Sequence, residues 1–447
     1  MELLDKFVDL GPTVVMPIIF TIMGLAFGVK FGKALRSGLT VAVGFIGLNL
    51  VIGLLGDTLG PAAQAMVHRL GLELTIIDVG WPAASAIAFA SKVGALIIPL
   101  GLAVNLLMLF TKTTETVNID IWNYWHFAFT GALVAGVTGR ITYGLIAAAF
   151  NMIIIMVLAD LTAPMIEENL GMPGISLPHG FSAAYVPIAI VVNKIIDMIP
   201  GINKIDISAE GMEKKLGVFG EPILVGTILG ILVGVAAGYP IGEVLQMGVT
   251  LGAVLVLIPR MAKMLMEGLL PISESAQQFI QKRTSKGGKI YIGLDSAIGV
   301  GHPVTLAVSL ILVPLTVVLA AIIPGNKVLP FADLAVIPFA LVMIVPVTKG
   351  NVFRTVIVGL LIISFGLLIA TNLAPLHTQM AIDANFTMPE GASLISSICD
   401  GANPLSWIFA KTGGLDILGL VIMGVISIGL ALYNRKRILK QSSDMKI

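Results

Sequence analysis

Residues 11–36 read GPTVVMPIIFTIMGLAFGVKFGKALR, and residues 221–246 read EPILVGTILGILVGVAAGYPIGEVLQ. Laid over one another at an offset of 210 residues, they match Pro12 with Pro222, Gly24 with Gly234, Gly28 with Gly238, Gly32 with Gly242 and Leu35 with Leu245. The same offset carries Gly38 onto Gly248, Thr40 onto Thr250 and Pro61 onto Pro271. Glycine pairs at a four-residue spacing, bracketed by proline pairs, point to an internal repeat. The charges do not repeat, since Lys30, Lys33 and Arg36 face Pro240, Glu243 and Gln246. Lys and Arg collect in cytoplasmic loops, so the matching loops lie on opposite sides of a membrane and the second copy is inverted. Inverted repeats are the signature of alternating-access transporters. The alternative is a Gly-rich helix bundle with accidental self-similarity.

Composition agrees with a membrane setting. Of 447 residues, 57% are hydrophobic and 12% charged, against about 25% charged in a soluble domain; mean hydropathy is +0.99. Eleven apolar segments are long enough to be candidate spans: 11–29, 38–56, 93–111, 119–139, 142–163, 222–238, 244–264, 305–323, 333–348, 355–374 and 414–434. The weakest are 119–139, which carries Asp120 and His126, and the short 333–348. Such runs exceed the strands of a membrane barrel, so a porin is excluded. A net charge of +1 without a basic stripe excludes a nucleic-acid partner. The single cysteine, Cys399, allows no internal disulfide and no cysteine-based metal site. The histidines show no helical pair spacing, so no metal is expected, and no cofactor motif appears.

Lys30, Lys33 and Arg36, then Lys282, Arg283, Lys286 and Lys289, then Lys349 with Arg354, and finally Arg435, Lys436, Arg437 and Lys440 mark the inside. The acidic start (Glu2, Asp5, Asp9) is outside and lacks the basic region of a signal peptide, so the first segment is expected to stay in the chain. An outer N-terminus and a cytoplasmic C-terminus require the odd number of crossings counted. The chain divides into a first repeat over 1–210, a second over 211–374, and 375–447, comprising an outer segment, a last span and a basic tail. Between the second and third spans of each copy, 57–92 and 267–303 are polar and Pro-broken, and are predicted to be re-entrant hairpins. Irregular backbone at membrane depth survives only where protein or a cavity satisfies it, so the substrate site is expected there.

Asp78-Val79-Gly80-Trp81-Pro82 and Ser85 lie in the first hairpin. Asp accepts hydroxyl protons, and an indole face suits the C–H side of a polyol; alternatively Trp81 sits in an interfacial belt and Asp78 caps a half-helix. Asn123 and His126, three apart on one helix face, could bind several hydroxyls. The other reading puts Trp122 and Trp125 at the interface and His126 in an internal hydrogen bond. His179, between Pro178 and Gly180, is either a proton acceptor for a hydroxyl or a helix cap. Glu221 before Pro222 stands at a helix start, where a carboxylate is electrostatically favoured without a further role. The second hairpin places Asp295 and His302 in a Gly-rich break, and Asp295 is the foremost carboxylate candidate. His377 and Gln379, in the segment 375–413, are expected at the surface.

These motifs, with Asp120-Ile121-Trp122-Asn123, His126-Phe127-Ala128-Phe129-Thr130-Gly131, Pro178-His179-Gly180, Phe219-Gly220-Glu221-Pro222, Ile292-Gly293-Leu294-Asp295, Gly350-Asn351, Phe353-Arg354-Thr355 and Leu376-His377-Thr378-Gln379, resemble the galactitol-specific membrane subunit, enzyme IIC, of the bacterial phosphoenolpyruvate-dependent phosphotransferase system. The resemblance runs from the first span to near the tail. It implies a permease in the bacterial inner membrane that carries galactitol or a related polyol to a cytosolic IIB subunit, itself charged by IIA, whose phosphocysteine donates the phosphoryl group. The more distantly similar ascorbate-type IIC proteins imply an all-α homodimer with eleven spans, inverted five-helix copies and elevator motion. They also imply that His126, His179 and Asp295 hold the sugar, with Asp78, Trp81 and Ser85 matching another part of that site; Glu221-Pro222 resembles a Glu-Pro element of other IIC superfamilies and ranks lower. His179 or Asp295 would orient or deprotonate the attacking hydroxyl. Cys399 falls on the outer side, beyond reach of cytosolic donors, and is expected to be a packing cysteine. The competing expectations are an ion-coupled polyol symporter using Asp78 and Asp295, and a passive facilitator.

Overall fold

At Gly28 the first helix, α1 (Pro12–Ala26), ends in a turn that only a residue free to adopt positive φ accommodates well. Gly28, at φ 84, donates its N–H to Leu25 O at 3.0 Å, and Val29 N–H reaches Gly24 O at 2.8 Å, a Schellman cap. Gly238, at φ 82, does the same with Val235 O at 3.0 Å, and Tyr239 with Gly234 O at 3.0 Å. After each cap the chain enters a long helix in which Ala34, Ser37 and Gly38, and again Val244, Met247 and Gly248, are buried while their neighbours are exposed. The structure, a computed structural model, describes residues 12–71, 74–207, 222–283, 290–330, 332–384, 386, 388 and 392–444.

Those long helices are α2 (Phe31–Leu70) and its counterpart Ile241–Arg283, the latter entered from Pro222–Ala237. Together with α1 they pack chiefly on one another. Their length corrects the expected hairpins, because residues 57–70 and 267–283 continue the helices. Gly56, Asp57, Gly60 and Pro61 read as breakers, yet Pro61 lies inside α2. A membrane helix tolerates such residues when side chains re-satisfy the freed backbone.

The rest of the described chain winds round two small parallel sheets. After α2 come β1 (Ile76–Asp78), α3 (Gly80–Ala90), α4 (Gly94–Phe110), β2 (Thr116–Asn118), a 3₁₀ turn at Ile121–Asn123, α5 (Tyr124–Thr138), α6 (Ile141–Leu170), β3 (Ile175–Ser176), α7 (Gly180–Ala184) and α8 (Val186–Met198). Numbering Pro222–Ala237 and Ile241–Arg283 as α9 and α10, the second half continues with β4 (Tyr291–Gly293), α11 (Ala297–Val300), α12 (Pro303–Ile322), β5 (Val328–Leu329), a 3₁₀ turn at Ala332–Val336, α13 (Ile337–Val342) and α14 (Ile344–Val347). It closes with α15 (Val352–Asp383), β6 (Leu394–Ser396), a 3₁₀ turn at Asp400–Ala402, α16 (Pro404–Gly413) and α17 (Ile417–Asp444).

The sheet orders are β5-β1-β6 and β2-β4-β3. Each sheet therefore takes its middle strand from one half of the chain and both edges from the other. Ile77 lies beside Leu329 and Ile395; Ile292 lies beside Val117 and Ile175.

Among the described residues, Ile141–Leu170, Pro303–Ile322, Val352–Asp383 and Ile417–Gln441 are helices long and apolar enough to cross a membrane, and Ala83–Ala90 with Gly94–Phe110 form a pair bent by 84°. This is a mostly helical membrane protein. Every one of the eleven apolar segments coincides with helix, but 333–348 is broken into a 3₁₀ turn and two short helices. Sequence reading missed α3, α8 and α16, which are short or mixed in polarity.

The segment 375–413 departs most from expectation. α15 runs on to Asp383, and β6, the Asp400–Ala402 turn and α16 fold back against the core. His377 is fully buried, its ring 5.1 Å from that of Phe129, which corrects its expected surface position. Gln379 is exposed as expected and donates to Asp383 Oδ1 at 2.8 Å. Cys399 is a buried free thiol, in keeping with a packing role.

Candidate functional site

Each sheet delivers, just beyond its strands, a pair of aspartates from opposite halves of the chain. After β2, Asp120 Oδ1 accepts Trp122 N–H at 3.0 Å, and its Oδ2 accepts the N–H of Asp295, two residues past β4, at 3.1 Å. At the last residue of β1, Asp78 Oδ1 accepts Gly80 N–H at 3.1 Å, and its Oδ2 accepts Asp333 N–H at 2.8 Å. All four carboxylates are buried, and such groups persist in the interior when backbone donors surround them. The pairs thus fasten the two halves of the chain where their strands interleave.

The first pair opens onto the histidines. His179 caps α7, its Nδ1 accepting the backbone N–H of Ser182 at 3.2 Å. The opposite nitrogen, Nε2, lies 3.0 Å from Nε2 of His126 and 3.6 Å from Asp295 Oδ2. One ring nitrogen of His179 thus serves as the cap of α7, and the other faces His126 and Asp295. His126 enters from the first turn of α5, and its Nδ1 is in short contact with Asp400 Oδ2. Asp400 Oδ1 accepts from Asn403 Nδ2 at 2.9 Å, and the same amide donates to Gly180 O at 3.1 Å. Gly180 packs against His126 so closely that a side chain there would strike the imidazole-bearing Cβ. Trp125 lies over His126, ring centroids 4.1 Å apart, which makes it part of the interior and not of an interfacial belt.

The backbone N–H of Ser182 orients His179, and the arrangement at His126 follows from that contact. Ser182 N–H can only donate, so His179 Nδ1 is unprotonated and a neutral His179 carries its hydrogen on Nε2. That hydrogen points at His126 Nε2, which accepts it; His126 then donates from Nδ1 to the Asp400 carboxylate. The result is a directed chain from Ser182 through His179 and His126 to Asp400, in which every member is satisfied.

The remaining predicted residues form a second cluster. Trp81 donates its N–H to Asp333 Oδ1 at 2.6 Å, and its ring meets Trp122 edge to face at 6.2 Å. Asp333 Oδ2 also accepts Ser397 Oγ–H and Cys399 N–H, the latter at 3.2 Å. Asp333 thereby holds both the Trp81 turn and the strand end that leads into Asp400. Ser85 is buried on α3. Asn123, also buried, turns away from the histidines and donates to Asn118 Oδ1 at 3.0 Å, leaving its own Oδ1 without a partner. Glu221 lies outside the described residues.

Sequence reading assembled His126, His179 and Asp295 and missed Asp400, Asp333, Asn403 and Ser182. Only the run Cys399-Asp400-Gly401-Ala402-Asn403-Pro404 carried a signal, a polar Gly/Asn/Pro break before a helix. That run falls within the segment expected on the outer side.

The arrangement offers hydrogen-bond donors and acceptors in a buried interior, with aromatic faces beside them, and this chemistry suits a polyhydroxylated ligand. The comparisons with known proteins agree. The family described as "EIIC-GAT: PTS system sugar-specific permease component" matches residues 6–391. The chain is 41% identical over 426 residues, 95% of its length and 94% of the relative's, to the galactitol-specific EIIC component of the phosphotransferase system of Escherichia coli strain K12. The protein of the same name from Escherichia coli O157:H7 gives the same figures, 41% over 426 residues. A putative permease IIC component of Escherichia coli K12 is 40% identical over 437 residues, 98% of this chain and all of that protein. Matches of this extent leave one assignment: the chain belongs to the EIIC-GAT family of sugar-specific permease components of the phosphotransferase system.

Proposed function

We propose that this protein is the IIC permease subunit for galactitol, carrying the polyol across the bacterial inner membrane to a cytosolic IIB subunit that phosphorylates it from a phosphocysteine. The observation that carries the reading is the near full-length identity to a galactitol-specific component, joined to a site whose histidines and carboxylates match hydroxyls. A second relative of equal similarity bears no substrate in its name, so the polyol is what an experiment must decide. Protein purified with its IIA and IIB partners and phosphoenolpyruvate should phosphorylate galactitol in preference to hexitols differing in one hydroxyl configuration. Equal rates across such a panel would overturn the assignment. An ion-coupled symporter does not accord with membership of a phosphotransferase family; uptake driven by an ion gradient without IIB would be its mark.

The same reading takes the chain as two inverted copies, 1–210 and 211–374, followed by 375–447. Support comes from matching Schellman caps at Gly28 and Gly238, from the repeated burial pattern that follows them, and from the reciprocal strand exchange between the sheets. The narrower hairpins then centre on the bent pair α3–α4 and on α11–α12. The helices α1, α2, α9 and α10 would form the scaffold of a homodimer, against which the body holding both sheets shifts as an elevator. The outward N-terminus and cytoplasmic C-terminus follow from the basic loops and tail. His179 and Asp295 would contact the attacking hydroxyl, with His126, Asn123, Asp78, Trp81, Ser85 and Glu221 contributing to binding.

A further inference from the structure

We propose that His126 is the group that takes the proton from the hydroxyl under phosphoryl attack, and that the buried carboxylate of Asp400 is the positioning residue that keeps His126 Nε2 unprotonated for that task. The inference rests on the permease reading above but moves the proton acceptor from His179 and Asp295 to a neighbouring pair.

The geometry orders the roles. His179 Nδ1 is occupied by Ser182 N–H at 3.2 Å, so the ring nitrogen it presents to a ligand, Nε2, is a donor. Asp295 Oδ1 is engaged by Ala297 N–H at 2.7 Å, and its Oδ2 lies 3.6 Å from His179 Nε2. His126 is the opposite case. Asp400 holds Nδ1–H, and Asn403 Nδ2 at 2.9 Å fixes the carboxylate, so its Nε2 is a lone pair facing the His179 donor at 3.0 Å. Without substrate the two imidazoles satisfy each other. A hydroxyl entering between them accepts from His179 Nε2–H and donates to His126 Nε2, exchanging one hydrogen bond for two. A carboxylate behind an imidazole both selects its tautomer and stabilises the imidazolium that forms.

The step balances. The hydroxyl oxygen forms its bond to phosphorus, and its proton goes to His126 Nε2. The S–P bond of the donor phosphocysteine breaks, and sulfur leaves with the electron pair as thiolate. His126 releases the proton to cytosolic solvent once IIB and the phosphorylated product have left the open site. His179 holds the reacting oxygen throughout.

The test uses the full-length protein with IIA, IIB and phosphoenolpyruvate. Asp400→Asn should leave galactitol Kd within about threefold while kcat for phosphorylation falls about 100-fold, the scale of an outer-shell partner's loss at a tuned imidazole. Asp400→Glu should recover a large part of that loss. Nitrogen-15 NMR of labelled histidine, with His126→Gln assigning the signal, should show Nδ1-protonated His126 in the wild type and a shift toward the Nε2-protonated form in Asp400→Asn. His126→Gln should bind the polyol within about tenfold yet lose phosphorylation. Unchanged kcat in Asp400→Asn, or a parallel loss of binding and rate with the tautomer unchanged, overturns the proposal. If Asp400→Asn does not fold, the wild-type spectrum decides, and Nε2-protonated His126 overturns it. Should the wild type neither bind nor phosphorylate galactitol, the permease reading fails on its own terms, whereas the tautomer of the free protein still tests the pairing.

Discussion

Gly180 shows how finely the residue scale is set, because a methyl group there would meet the Cβ of His126. The glycine lets the turn carrying His179 approach α5, and so makes the 3.0 Å contact between the imidazoles possible. Gly180→Ala is therefore expected to part the pair, at a cost of about 1–3 kcal/mol typical of overpacking. Melting in detergent should fall, and galactitol binding should weaken with it; a variant that binds like the wild type would show that the pair need not close. Asp333 acts through two loops at once, accepting from Trp81, Ser397 and Cys399. Asp333→Asn keeps the shape but turns one acceptor into a donor facing a backbone N–H, that of Trp81 or of Cys399, which can only donate, so about 1–3 kcal/mol should be lost from an unsatisfied buried donor. Denaturation of purified protein measures it. Of this scale the sequence disclosed the chemistry-bearing types, His and Asp in Gly-rich breaks. It could not disclose that Asp400, 274 positions from His126, is its partner, since spacing carries no information about contacts between elements brought together by folding.

At the scale of elements, the caps of α1 and α9 invite a paired comparison. Both glycines hold positive φ, so alanine at either should cost about 1 kcal/mol. Position 28 has open space around it, while at 238 the added carbon would press on the Arg69 guanidinium, which donates to Val235 O at 3.1 Å. Gly238→Ala should thus be the costlier change, and thermal unfolding of the two variants tests the order. A second lock joins the last helix to the second sheet. Asp160 on α6 accepts from Thr116 Oγ1 at 2.7 Å, from Glu115 N at 3.1 Å and from Asn434 Nδ2 at 2.6 Å. Asn434→Ala leaves a buried carboxylate short of a donor and should destabilise by about 1–3 kcal/mol, read as faster hydrogen exchange along α17. Apolar runs and Pro/Gly breaks foretold where helices fall, and all eleven segments proved helical. They misjudged α2 and α10, because a proline that ends a helix in water can be carried inside one where side chains and neighbouring helices re-satisfy the backbone.

For the whole molecule, the proposed inverted arrangement makes a prediction about sides. Cys399 is the only cysteine, so Cys399→Ser provides a background for single-cysteine labelling. Lys33 and Glu243 are exposed at equivalent places after the two caps. Lys33→Cys should react with an impermeant maleimide only from the cytosolic face and Glu243→Cys only from the outer face; labelling of both from one face would remove the inversion. The membrane class and the places of the long apolar helices were determined by the sequence alone, and the proposed kinship of the two halves rests on it. These depend on local hydropathy, glycine spacing and charge, which a linear reading contains. What only the tertiary structure decided is the interleaving: which strands share a sheet, which aspartates cross from one half to the other, and that the stretch after residue 375 turns inward to set Asp400 behind His126. The physical reason is that buried polar groups choose partners by distance and direction in space, and a lone carboxylate in a Gly/Asn/Pro turn looks the same in sequence whether it faces water or an imidazole.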